Sequence, residues 1–277
     1  MAPLNRNGAV FYRGPSMIDG APIIGVATGF RVESDNGKTG DMIQTWIMPE
    51  SVEPPTAARN GADRSVCGDC SHAYRPDDDD DDTRTCYVDV GKAPLAVHRC
   101  ASRGGYPDYA TCGSDYALSS AIIGADMDVH APDGWKLRMG SWGDPAAIPA
   151  DVWAHAVDTI VVSGWTGYTH QWNAPRGSIL RRNVDRLRPY VMASVESERE
   201  ARRAQRRGWR TFRVGRGLDD MAENETLCPA SEEAGHRTTC ADCTLCAGFG
   251  RFGIRRSARS IFIPAHGAQA ASIRWEV

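Results

Sequence analysis

Tyr190–Val214 reads YVMASVESEREARRAQRRGWRTFRV, and its pattern decides the fold class. Tyr190–Val195 is an apolar run of strand length. Glu196–Arg207 carries arginines at spacings of three and four around Ala201 and Ala204, the periodicity of a helix with one outward face. Gly208 supplies the helix stop. Trp209–Val214 is again strand-like, rich in aromatic and β-branched residues. A strand, a helix and a strand in so short a stretch make a βαβ unit, which implies a parallel sheet.

The same rhythm extends in both directions. Trp135–Met139 (WKLRM) reads as a strand, a helix opens at Pro149 and runs to about Val162, and Gly167–Trp172 (GYTHQW) reads as the next strand. Ser178–Leu187 is a short helix and Ser260–Pro264 (SIFIP) the last strand. Upstream, Asp41–Met48 (DMIQTWIM) is strand-like, and Pro22–Ala27 is an apolar run within a Gly-, Pro- and Asn-rich beginning. The expectation is an α/β fold of parallel βα units forming a barrel-like sheet or partial (β/α) barrel. An open doubly wound sheet fits the alternation too, but the chain has no Gly-x-Gly-x-x-Gly or Walker sequence. Residues 1–112 form a cysteine-rich N-terminal segment, and 113–277 an α/β body carrying a cysteine-rich loop at 228–246.

With 42% hydrophobic and 24% charged residues among 277, the chain has an ordinary globular composition. No apolar run nears the roughly 20 residues of a membrane span, and the first residues lack a signal-peptide core. A cytoplasmic setting is therefore expected, where thiols stay reduced. There, nine unevenly clustered cysteines point to metal ligands rather than disulfides.

Cys228-x11-Cys240-x2-Cys243-x2-Cys246 gathers four soft thiolates in a polar, Gly-containing loop. They satisfy tetrahedral zinc. An iron–sulfur cluster is the alternative, since three ligands follow at x2 spacing and Pro229 follows the remaining one, as in ferredoxin-type ligation. Cys67, Cys70, His72 and Cys86 suit a second zinc site of Cys3His type, with the acidic run Asp77–Asp82 looped out between ligands. His98, Cys100 and Cys112 are alternative ligands.

Chemistry in parallel α/β folds collects at the carboxyl ends of strands. Those ends carry Asp144, His170 with Gln171, Ser194 with Glu196, Arg213 and His266. Asp144, His170, Glu196, Arg213 and His266 would together suffice for acid–base catalysis or a further metal site. Singly, each also reads as a cap or a satisfied polar group, and Asp144 could organise the turn Gly143-Asp144-Pro145. Arg199, Arg202, Arg203, Arg206 and Arg207 form one face of the central helix, either a phosphate-contacting surface or a solvated outer face offset by Glu196, Glu198 and Glu200.

Several segments carry a resemblance. They are Lys38–Gln44 (KTGDMIQ), VCGDC with CY, Ala93–Leu95, LRMGSWGDPAAIP, WTGYTHQW, MASVESE, GWRTFRV, CPASEE with CADCTLC, and PAHG. From about residue 38 to 267 the chain resembles a family of cysteine-rich proteins encoded by bacteriophages and prophages. The resemblance implies a virus-encoded protein of the bacterial host cytoplasm. It also implies a distant similarity to phage proteins with a radical S-adenosylmethionine-like α/β body, although the Cys-x3-Cys-x2-Cys triplet of those enzymes is absent here. The functional expectation is a metal-binding protein, either an enzyme acting on nucleotide or nucleic acid, or a non-catalytic zinc-stabilised factor that binds nucleic acid or a host protein.

Overall fold

The parallel βα rhythm produces a nine-stranded sheet whose strand order nearly follows the chain. The computed structural model describes residues 4–34, 36–73, 84–112, 115–159, 161–249, 259–265, 270 and 273. Strands β1 (Gly8–Pro15), β2 (Pro22–Thr28) and β3 (Ile43–Pro49) form an antiparallel meander. Next come β4 (Trp135–Trp142), β5 (Val162–Thr169), β6 (Met192–Val195) and β7 (Thr211–Gly215), each parallel to the strand before it. Strand β9 (Ser260–Pro264) then pairs with β7, and β8 (Glu225–Leu227) pairs outside β9 at the edge. Doubly wound sheets reverse direction at a switch point, whereas this order is sequential, as in βα barrels. Among the described residues no pairing joins β1 to β8, so the sheet is open.

Helices α1 (Pro54–Asn60), α2 (Arg64–Cys67), α3 (Ala93–Ser102) and α4 (Ala117–Val129) lie between β3 and β4. Helix α5 (Ala150–Asp158) precedes β5, α6 (Ile179–Leu187) precedes β6, α7 (Glu198–Arg206) precedes β7, and the single turn α8 (Cys240–Cys243) precedes β9. No helix among the described residues is long and apolar enough to cross a membrane.

Strand alternation gives the sheet two unlike faces. On one, Leu137, Met139, Trp165, Ala193 and Val195 join Ile122, Trp153, Val184, Leu187, Ala201 and Ala204 from the helices in the main core. On the other, Met192, Ile261 and Ile263 pack with Cys228 and Cys246 in a smaller cluster. The first face makes the fold, and the second faces the cysteine loop.

Two of the boundaries that differ from the sequence reading set the limits of β5. The helix from Pro149 ends at Asp158 because Thr159 leaves helical geometry at ψ 152°, and β-branched Val162 already opens β5. The strand expected over Gly167–Trp172 stops at Thr169, and Gln171–Asn173 is a 3-10 turn. Donors that would continue the ladder are diverted: His170 N–H donates to Asp144 Oδ2 at 2.8 Å, and Gln171 N–H to Thr169 Oγ1 at 3.0 Å.

The loop after β4 is fixed to α6 by Asn183, which is buried. Its amide donates to the carbonyls of Ala146 and Ile148, both at 3.0 Å, and its oxygen accepts from Ala150 N–H at 2.7 Å. Asn183→Ala strands three buried backbone groups and should lower unfolding stability by about 3 kcal/mol in a denaturant titration. A loss below about 1 kcal/mol would mean that the loop is held by other contacts.

Candidate metal centres

Glu196 follows the last residue of β6, and the helix start behind it fixes its backbone. The Ser197 hydroxyl accepts from Glu200 N–H, and Glu200 Oε2 accepts from Glu196 N–H at 3.0 Å, a reciprocal cap of the capping-box kind. His170 occupies the matching place after β5, its amide held by Asp144. Asp144 is buried and caps the turn after β4, accepting from Ala146 N–H at 2.9 Å, while its own N–H donates to Val66 O. Burial raises its pKa, and the neighbouring His170 and these donors oppose that.

The Cys67–Cys70 loop is laid against the turn holding His170. Gln171 Nε2 donates to Cys67 O at 3.1 Å. Gly68, at φ +56°, lies so close to the Gln171 amide that a Cβ would stand 2.5 Å from it, so glycine is required there. This contact delivers Cys70 Sγ to 3.7 Å from His170 Nε2. His72 arrives with the same loop, its Nδ1 2.9 Å from Thr85 Oγ1.

The outcome is a group of His72, His170 and Glu196 whose ligand atoms all lie within 4.8 Å of one another. Glu196 Oε1 is 3.5 Å from His72 Nε2 and 3.3 Å from His170 Nε2. It is buried and accepts no hydrogen bond of ordinary geometry. Burial works to raise the Glu196 carboxyl, and the two imidazoles outweigh it and hold the group below the usual carboxylate range. Burial works to lower His170, and Cys70 and Glu196 outweigh it and hold the imidazole well above its usual value.

The four C-terminal cysteines also come together, on the face of the sheet opposite the main core. Cys228 directly follows β8, its N–H donating to Phe262 O at 2.8 Å. Cys240 N–H and Ala241 N–H donate to Lys38 O and Thr39 O, so the Asn36–Gly40 loop docks on α8. Buried Arg210 holds the end of the cysteine loop through the carbonyls of Leu245 and Gly248, at 2.8 and 2.6 Å. Burial pushes the Cys228, Cys240 and Cys246 thiols up, Cys246 most, and neighbouring thiols push each of them further. Lys38 and Arg138 stand close enough to oppose this at Cys240. Thiols that resist ionisation become stable as thiolates once a cation sits among them. Among the described residues, no three of these thiols lie within 4.8 Å of one another.

Both clusters open on one cavity of about 450 Å³, within the usual range for small-molecule sites. Cys70, His72 and His170 line it on one side and all four C-terminal cysteines on the other, with Lys38, Arg138, Tyr168 and Phe212 in its walls. The Tyr168 and Phe212 rings are 4.4 Å apart between centroids, tilted by 47°. The chain matches no family model, no curated protein and no solved structure. Function has therefore to be read from these side chains.

Of the predicted strand-end residues, the structure brings together Asp144, His170 and Glu196, and Asp144 acts as the support. Arg213 is elsewhere: it is buried in a two-pronged ion pair with Glu225, at 2.8 and 2.7 Å, under the Phe262 ring. His266 and the aspartate run lie outside the described residues. Among the expected ligands of the first zinc site, His72 and Cys70 approach His170. Cys67 and Cys86 line the cavity beside them. His98 is buried between the carbonyls of Pro49 and Glu50, and Cys100 lies beside Tyr106. Sequence reasoning placed His72 in one site and His170 with Glu196 in another, because nothing local links positions a hundred residues apart. Arg199, Arg202, Arg203 and Arg206 are exposed on α7, whose Ala201 and Ala204 face the core, so they lie across the sheet from the cavity.

The Arg213–Glu225 pair supplies a control. Glu225→Ala leaves a buried guanidinium unpaired and should cost about 3–5 kcal/mol in chemical denaturation. Arg213→Met combined with Glu225→Leu should recover most of the loss, as an apolar exchange of the whole pair does. A double variant no more stable than Glu225→Ala would assign Arg213 another role.

Proposed function

We propose that this chain is a metal-dependent enzyme of phage type, acting on a nucleotide or nucleic acid in the cavity, with an iron–sulfur cluster on Cys228, Cys240, Cys243 and Cys246. The observation that carries the reading is that two separate ligand clusters open on the same cavity. Metal sites that only hold a fold together are closed and need no shared opening. The cavity's chemistry fits a nucleotide: Tyr168 and Phe212 offer ring faces to a base, and Lys38 and Arg138 offer charge to phosphate.

The spacing of the thiols favours the cluster over zinc. Tetrahedral zinc, with bonds of about 2.3 Å to sulfur, sets thiolates about 3.8 Å apart. Ligands of a cluster bind different irons and stand further apart, in keeping with four thiols that gather without closing to 4.8 Å in threes. The nearby Lys38 and Arg138 charges also suit an anionic thiolate cluster. A sheet wound in sequence order, in the manner of a partial βα barrel, would place such a cluster on its concave side. The setting that goes with this reading is the reducing cytoplasm of a bacterial host.

A second reading has its own observation. The exposed arginines of α7 form a surface for polynucleotide or a host protein that is independent of the cavity. Charge reversal at Arg202 and Arg203 should then flatten the salt dependence of polynucleotide binding by about two phosphate contacts. An unchanged slope removes this reading without touching the first.

Two measurements test the main proposal. Protein purified without oxygen should show broad absorbance near about 400 nm, with iron and acid-labile sulfide, all lost in Cys243→Ser. Colourless protein holding only zinc would overturn the cluster. Phe212→Ala should weaken mononucleotide binding by about 1–3 kcal/mol in calorimetry, and nucleotides that ignore the substitution would overturn the substrate class.

A further inference from the structure

We propose that His72, His170 and Glu196 hold one divalent metal ion of the zinc type. Its fourth position is turned to the cavity, where it takes an oxyanion of the substrate. The case rests on how the three donor atoms meet. A histidine–carboxylate hydrogen bond brings nitrogen and oxygen to about 2.7–2.9 Å. Here two Nε2 atoms stand 3.3 and 3.5 Å from a single carboxylate oxygen that is buried and satisfied by neither. With bonds of about 2.0–2.1 Å, a tetrahedral ion holds neighbouring N and O donors about 3.3–3.4 Å apart, while an octahedral ion of the same bond length needs about 2.9 Å. The two nitrogen–oxygen separations match the tetrahedron better than the octahedron. The two imidazole rings, 6.0 Å apart and 82° to each other, converge on it from different directions.

The surroundings are those of a ligand set. His72 Nδ1 meets the Thr85 hydroxyl, which leaves Nε2 as the coordinating nitrogen. The His170 backbone is pinned by buried Asp144, and Glu196 by the α7 cap. Two histidines and a glutamate are donors of catalytic zinc sites, which keep one position open, whereas structural sites carry four protein ligands. Cys70 Sγ is near His170 but does not fall within 4.8 Å of all three donors. His72 and His170 line the cavity, and an open corner on that side would face it. An ion of charge two with one carboxylate keeps a net positive charge there, and Lys38 and Arg138, beside the C-terminal cysteines, add to the positive charge of the same cavity. The ligand suited to that corner is an anionic oxygen, as on a phosphate. The oxyanion rests on the nucleotide reading above, while the metal site does not.

Cobalt(II) titration of the full chain tests both. The protein is purified without oxygen, its C-terminal metal and sulfide are counted separately, and loosely held metal is removed by a mild chelator. One equivalent of cobalt should then bind with four-coordinate visible bands and little thiolate charge transfer. Glu196→Gln and His170→Gln should weaken it at least about a hundredfold, and Thr85→Ala, which removes only the partner of His72, about tenfold. Binding unchanged in all three variants overturns the site. Strong thiolate bands that vanish in Cys70→Ser make Cys70 the fourth ligand and overturn the open corner. Inorganic phosphate should perturb the cobalt bands, and if it does not, the oxyanion assignment fails while the metal site stands. Because cobalt is read apart from iron and sulfide, failure of this site and failure of the cluster are distinct results.

Discussion

A single buried carboxylate, that of Asp144, ties together the three places where this structure becomes a site. It caps the turn after β4, receives the His170 amide from the end of β5, and its own backbone N–H reaches Val66 beside the first cysteine loop. Burying that charge is costly, and the donors directed at it are what make it tolerable. Without it, β5 would lose one of the two side-chain acceptors that end it, and the His170 amide would be free to continue the ladder. The arrangement around Glu196 depends on this one interruption.

A second constraint is the unlike character of the two sheet faces. Helices occupy one side because each crossover between sequential parallel strands returns over the same face. The other side would remain bare β-sheet if the cysteine-bearing loops did not cover it. They cover it sparsely, with few apolar side chains of their own, and the volume they leave is the cavity. The sheet thus supplies a rigid floor, and the loops supply ligands at positions the floor determines.

Much of this was legible in the sequence. The βαβ unit at Tyr190–Val214 and the spacing of the four C-terminal cysteines are local patterns, and local patterns are what a sequence displays. Strand β8 was not legible, since three residues show no period, and neither was the end of β5, where side-chain acceptors override a strand-forming composition. The partition of ligands was the larger difference. Cys70 and His72 read naturally with Cys67 and Cys86 because they are neighbours in the chain. Only the close approach at Gly68, which depends on a glutamine a hundred positions away, transfers His72 to the group containing His170 and Glu196. Asp144 was read both as a catalytic acid and as a turn former, and its bonds to Ala146 and His170 are those of a turn former.

The docking of the Asn36–Gly40 loop on α8 has a consequence for how the protein is made. Lys38 O and Thr39 O accept from Cys240 and Ala241, so a segment made early completes the surroundings of one made much later. About 200 residues separate them, which at about 5–20 residues per second is roughly ten to forty seconds of synthesis. During that interval the early loop has no α8 to rest on, and Cys67 and Cys70 emerge well before His170 and Glu196. A metal at either cluster would therefore have to wait for segments made well after its first cysteine or histidine. A product that stops before Cys240 would carry the Asn36–Gly40 loop with its carbonyls unpaired by α8.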